Sequence, residues 1–151
     1  MDVVTKAKRS LMMGGIKGKD TKPEITVRKI LHGCGFRYRV NVKTLPGKPD
    51  IVLKKYKAVV FVNGCFWHGH KCHLFKLPAS NRSFWQDKIR GNKVNDRKCR
   101  RQLEKDGWRI ADIWECAVKG KKKQDCARLS SILCKWITGS DDKRLSIGYA
   151  K

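Results

Sequence analysis

Acidic side chains are scarce in this sequence: 13 Asp and Glu stand against 36 Lys and Arg, a formal net charge of +23. Basic residues occur in every part of the chain, so the expected partner is a polyanion: DNA, RNA or an anionic membrane. Long apolar runs are missing as well, none approaching the roughly 18 residues of a spanning helix, which argues against a membrane. The first residues, MDVVTKAKRSLMMGG, lack the sustained apolar stretch of a secretory signal, and the expected location is the cytoplasm. There is no internal repeat, and no low-complexity segment beyond the basic run from Lys119 to Lys123.

A chain of 151 residues fits one domain that needs no disulfides to hold its core. Seven cysteines are an odd number, which in a reducing compartment reads as thiols or metal ligands. Cys34, Cys99, Cys126 and Cys134 lie within predicted helices or at their ends and are expected to be buried small hydrophobes.

Residues 1–19 carry Lys, Arg, Met and Gly without a firm period and read as a flexible basic arm. From position 20 the pattern changes. Asp20 or Thr21 can cap a helix with Pro23 in its first turn and Ile25, Ile30 and Leu31 on its apolar side, stopped by Gly33 and Gly35. FRYRV at 36–40 alternates as a half-buried strand does, and LPGKP at 45–49 is a loop. The stretch DIVLKKYKAVVFVNG predicts a hairpin with strands at 51–53 and 58–62 about Lys54 and Lys55. With Ser80 or Asn81 as cap, 82–106 reads as one long helix or two joined near Gly91 and Asn92. WRIADIW at 108–114 is a strand, in which Trp108 and Trp114 are expected in the core, and ECAVKGKKK a loop. Apolar positions 126, 129, 132, 133 and 136 mark a helix over 124–138, and 139–151 reads as a tail. The order predicts an α/β domain over 20–138: a mixed central sheet of about four strands flanked by helices.

Residues 63–76, NGCFWHGHKCHLFK, hold two cysteines, three histidines and three aromatics in fourteen positions. Zinc takes thiolate and imidazole ligands in a tetrahedron, and a structural site uses four protein ligands. Cys65, His70 and Cys72 can supply three from one loop. The fourth comes from His68, from His73 or from elsewhere, with Cys116 attractive because it follows the strand 108–114. HGHKCH also superficially resembles the His-x-His-x-Asp-His motif of metallo-β-lactamase-fold hydrolases, but Cys72 stands at its Asp and the chain is short for that fold. If Cys116 closes the zinc set, His68 is released for proton transfer near neutral pH.

Asp50, in GKPDIV, opens the hairpin whose second strand leads to His68. Many nucleases begin a hairpin with Pro-Asp at such a place, with a second acid and a lysine on the next strand. Here that strand reads VVFVNG and carries neither.

PGKPDIV followed by FVNGCFWHGHKCHLFKLP, FWQDKI, NDR and GWRIADIWECA closely resembles the very short patch repair (Vsr) mismatch endonucleases, over about Met12 to Gly120 with every spacing between motifs kept. The resemblance implies a restriction-endonuclease-like fold with a structural zinc on Cys65, His70, Cys72 and Cys116. It implies a magnesium-dependent nick 5′ of the thymine in a T:G mismatch, the lesion left by deamination of 5-methylcytosine. Asp50 matches the magnesium ligand, Val62 the residue whose main-chain carbonyl completes that metal site, and His68 the catalytic histidine. Glu24 and Asp96 match acids that hold metal-bound waters, and Asn63 stands where a histidine is often found. Phe66, Trp67 and Trp85 match aromatics that wedge beside the mismatch, and Met13 a minor-groove intruder. Unstacking a step costs a few kcal/mol and a mismatched step resists less, so insertion yields selectivity. The implied partner is double-stranded DNA bound by a monomer, with functional coupling to a cytosine-5 methyltransferase and mismatch repair proteins. The charge and the cluster alone would also suit a non-catalytic zinc-stabilised nucleic-acid-binding module, and the nuclease pattern a restriction-type enzyme of other specificity.

Overall fold

The computed structural model describes residues 21–150, so the arm 1–19 and Met13 lie outside it. Helix α1 spans Lys22–Gly33, with Thr21 Oγ1 accepting the Glu24 N–H at 3.4 Å. Its inward positions are Glu24, Val27 and Leu31, spaced three and four apart, whereas Ile25, expected on the apolar side, is exposed.

Strand β1 is only Arg39–Val40, shorter than the 36–40 expected, because Phe36 and Tyr38 pack against the core below the sheet instead of extending it. Strands β2 (Ile51–Leu53) and β3 (Ala58–Asn63) form the predicted hairpin. Its turn is a 3-10 segment, Lys54–Tyr56, ending on Lys57 in the left-handed region. Helix α2 runs unbroken over Arg82–Lys105, through Gly91 and Asn92, and Asn81 precedes it at φ 56° without a side-chain cap. Strand β4 (Arg109–Trp114) leads directly into a short helix α3 (Glu115–Val118), where a loop was expected, and helix α4 covers Cys126–Gly139.

The stretch 139–151 is not a free tail. Arg144–Ile147 forms strand β5, parallel to β4, and Ile147 is buried. Trp136 Nε1 donates to the Asp142 carbonyl at 3.0 Å and Gln124 Nε2 to the Gly148 carbonyl at 3.0 Å, fastening both flanks of the strand. The polar and basic flanks of β5 hid it: RLSI does alternate, but over only four residues, the shortest run that signals a strand.

The five strands lie in the order β1-β2-β3-β4-β5, antiparallel across β1-β2-β3 and parallel across β3-β4-β5. A parallel pair needs a long crossover, and here the β3-to-β4 crossover contains the cysteine–histidine loop and α2. Both faces of β3 and β4 are covered, which is why these strands read as nearly continuous apolar runs. Val60, Ile113, Val27, Leu133 and Trp136 pack on the α1/α4 side, and Val59, Phe61, Ile110 and Leu103 on the α2 side. Arg109 donates to the carbonyls of Trp136 and Ile137, each at 2.8 Å, satisfying orphan acceptors at the end of α4.

The four cysteines expected as buried hydrophobes are not fully buried: Cys126 is exposed, and Cys34, Cys99 and Cys134 are half-buried. Cys34 Sγ lies 3.0 Å from Ser130 Oγ at the α1/α4 seam. Among the described residues no helix is long and apolar enough to cross a membrane.

Candidate active site and metal centre

The residues singled out in the sequence converge where β2 begins and β3 ends. Asp50 sits just before β2, and its Oδ2 accepts the Val62 N–H at 2.7 Å, extending the hairpin by one side-chain bond. Burial raises the Asp50 carboxyl to about 7; the Glu24 charge adds to the rise, while the Val62 bond and the His68 and Arg100 charges oppose it. Glu24 is itself buried and pairs with Arg28 one turn on, at 3.3 Å.

Past Asn63 the chain folds back on itself, with His68 N–H donating to the Gly64 carbonyl at 3.2 Å and His70 N–H to the Cys65 carbonyl at 2.9 Å. Gly69 makes this possible: its φ is +62°, and a Cβ there would lie 2.7 Å from Ile89 Cγ2 on α2. The tight turn points the histidines on either side of it to different places. His68 Nδ1 is 2.5 Å from Asp96 Oδ2 on α2. With the proton placed on Nδ1, His68 donates to Asp96 and its Nε2 is left as the acceptor.

His70 instead turns Nδ1 toward thiols, 3.6 Å from Cys65 Sγ and 3.5 Å from Cys116 Sγ. The donor atoms of Cys65, His70, Cys72 and Cys116 all lie within 4.8 Å of one another, a group that can hold a metal ion. Helix α3 delivers Cys116, so the ion would join the loop after β3 to the end of β4. Burial, reinforced by the neighbouring thiols, pushes the Cys65 thiol up, and burial pushes Cys116 up. Thiols so placed ionise readily only beside a cation. His73 is elsewhere, edge-on to Tyr149 at 5.5 Å. Trp114, expected in the core, is half-buried and stacks on His70 at 4.2 Å and 7°; Trp108 is also half-buried, with Lys57 4.4 Å above its ring.

Phe66, Trp67 and Trp85 form one cluster, with centroids 5.1 Å apart for Phe66 and Trp67, 5.4 Å for Phe66 and Trp85, and 5.8 Å for Trp67 and Trp85. Phe75 joins it at 6.2 Å from Phe66, and Asn92 Nδ2 holds the Trp67 carbonyl at 2.8 Å. All three predicted aromatics are half-buried.

Sequence reasoning missed a polar group on the α2 side. Asn63 is buried and donates through Nδ2 to Asp112 Oδ1 at 2.9 Å; Arg100, also buried, donates to the same oxygen at 2.7 Å. The available signal was Asp112 itself, a lone acid inside the apolar strand RIADIW. A cleft of about 630 Å³ opens beside these residues and His68, rimmed by Lys71, Lys93, Arg97, Arg101 and Arg144. That surplus of cations suits a polyanion.

A family model described as DNA mismatch endonuclease Vsr matches residues 1–74. The type II nicking enzyme V.NmeAIP of Neisseria meningitidis serogroup A is 52% identical over 120 residues, covering 80% of this chain and 86% of that one. The DNA mismatch endonuclease Vsr of Escherichia coli K12 is 43% identical over 138 residues, covering 91% of this chain and 88% of that one. Among solved structures, the catalytic domain of the homing endonuclease I-Bth0305I matches with a TM-score of 0.52 at 19% identity, covering 79% of this chain and 97% of that one. The last likeness speaks to fold alone and makes this a nuclease-type mixed sheet.

Proposed function

Because this chain belongs to the Vsr family of DNA mismatch endonucleases, we propose that it nicks one strand of duplex DNA 5′ of the thymine in a T:G mismatch, using magnesium at Asp50. The observation that carries the reading is the convergence of Asp50, Glu24 and the His68–Asp96 pair where β2 begins and β3 ends.

The residues fit a divalent cation. The Glu24 charge disfavours ionisation of Asp50, and with its carboxyl raised to about 7 Asp50 is about half protonated at neutral pH without a counter-charge. Oxygen ligands of this kind suit magnesium. Asp50 would hold it together with the Val62 carbonyl, since the N–H and C=O of one strand residue project to the same side and the Val62 N–H already faces Asp50. Glu24, whose charge is felt at Asp50, would take metal-bound water. Bound there, magnesium would neutralise charge developing on phosphate oxygens and acidify water.

His68 removes the proton from the attacking water at Nε2, while Asp96 fixes the tautomer and steadies the imidazolium that forms. Asn63 has its side chain engaged by Asp112 and Arg100, so it orients neighbours, and as an amide it transfers no proton.

The Cys65, His70, Cys72 and Cys116 group fits zinc. Bonds of about 2.3 Å to sulfur and 2.0–2.1 Å to nitrogen in a tetrahedron place S and N about 3.5 Å apart, against 3.6 and 3.5 Å here. With four protein ligands the site is closed, so zinc would staple the loop that presents both His68 and the aromatic cluster. Phe66, Trp67 and Trp85 then enter the base stack as a preassembled wedge, and Met13 contributes from the arm. The cations rimming the cleft bind phosphates without regard to sequence.

The test uses labelled duplexes identical except for a central T:G or T:A pair, with magnesium, and Asp50→Ala alongside. A single nick 5′ of the mismatched thymine, absent from T:A and from the variant, is expected. Double-strand cleavage of matched DNA would mark a restriction-type enzyme, and binding without cutting in several sequence contexts a non-catalytic module.

A further inference from the structure

Arg100 is 5% exposed and lines the cleft beside His68. Its Nη2 donates to Asp112 Oδ1 at 2.7 Å and to Asn63 Oδ1 at 3.3 Å, and its guanidinium lies 3.6 Å over the Phe61 ring. Its Nη1 is 3.8 Å from Asp96 Oδ1, the oxygen that Asp96 does not offer to His68. Asp112 is held in turn by Arg144 Nη2 at 3.1 Å, and Arg144 by Glu104 at 2.9 Å. A buried ion pair contributes little net stability, and apolar residues of similar volume often serve as well. Its placement directly behind a proton-transfer pair therefore points to alignment.

We propose that Arg100, anchored by Asp112 and Asn63 on strands β4 and β3, is a positioning residue that holds Asp96 and thereby sets the orientation of His68. Asp96 and Arg100 are one helical turn apart on α2, so the charge of the sheet-anchored guanidinium, 3.8 Å from Oδ1, favours the Asp96 rotamer that leaves Oδ2 for His68. His68 Nε2 then keeps one direction. The inference rests on the endonuclease reading above.

The decisive variant is the double substitution Arg100→Met with Asp112→Leu, which removes the buried pair together; Arg144 keeps Glu104, and the buried Asn63 amide loses both partners. Because of the stranded amide its melting temperature is expected about 4–12 °C below the parent, with the fold retained at the assay temperature. On the T:G duplex its KM stays within about twofold, while kcat falls about tenfold or more. Arg100→Lys keeps the charge beside Asp112, but one ammonium cannot span both acids as the planar fork does; it should fold and show the same fall in kcat. Full kcat in either folded variant overturns the proposal.

A readout independent of cleavage separates this inference from the endonuclease reading. The His68 Nδ1 proton should give a downfield NMR resonance, assigned by its loss in His68→Ala, that is sharp in the parent and broadened or absent in the double variant. An unchanged resonance in the double variant, or none in the parent, overturns the clamp even if the parent nicks no duplex. A sharp parent resonance lost in the double variant upholds the clamp even then.

Discussion

His68 and His70 are chemically alike and two residues apart, yet one faces a carboxylate and the other three thiols. The left-handed turn at Gly69 separates them, and nothing in the string HGHKC alone says which histidine goes where. At this scale Asp50 gives a pH-dependent prediction. Its carboxyl titrates at about 7 in the folded chain against 3.8 ordinarily, so the folded protein keeps a proton that the unfolded chain has released. The stability this group contributes is full below its unfolded value and is lost as pH rises through about 7. Asp50→Asn cannot ionise. Without added magnesium it should melt above the parent by about 4 °C or more at pH 8 and close to it at pH 4, and magnesium should raise only the parent's melting temperature. Equal melting at both pH values would mean that Asp50 ionises freely.

Among the elements, the hairpin, α2 and β4 were legible because each carries a strong local pattern: β-branched runs about a polar turn, a long amphipathic period, an apolar strand. Strand β5 was not. Its membership in the sheet is decided by the open parallel edge of β4 and by bonds to residues of α4 and its flanks, over twenty residues away in some cases. Ending the chain at Gly139 would leave that edge bare and uncover the core beside Ile147. The truncated protein is expected to lose about 10 °C or more in melting temperature, or to precipitate; circular dichroism that melts as the parent does would restore the tail reading. Cys116, favoured from the sequence as the fourth donor, sits on a short helix where a loop was expected.

For the molecule as a whole, a metal held by Cys65, His70, Cys72 and Cys116 would tie the crossover between β3 and β4 to the end of β4, so its loss should loosen the wedge and His68 together. Purified protein is expected to carry one zinc per chain by elemental analysis. Cys116→Ser should weaken zinc binding by at least about 100-fold, lower the melting temperature, and alter the tryptophan fluorescence of the Trp67–Trp85 cluster. A variant with unchanged zinc content and fluorescence would remove the staple role from this site.

By itself the sequence determined the polyanionic partner, the soft donor set, the hairpin that begins with Asp50 and the family, because charge, ligand type and periodicity are properties of composition and short spacing. The tertiary structure alone decided that β5 joins the sheet and that Asp112 and Arg100 meet behind Asp96; Cys116, the fourth donor the sequence already favoured, it brings beside the other three. Those outcomes depend on partners 28 residues apart for His68 and Asp96 and 49 for Asn63 and Asp112. A buried polar group takes whatever partner the packed fold brings within reach, and sequence spacing does not encode that choice.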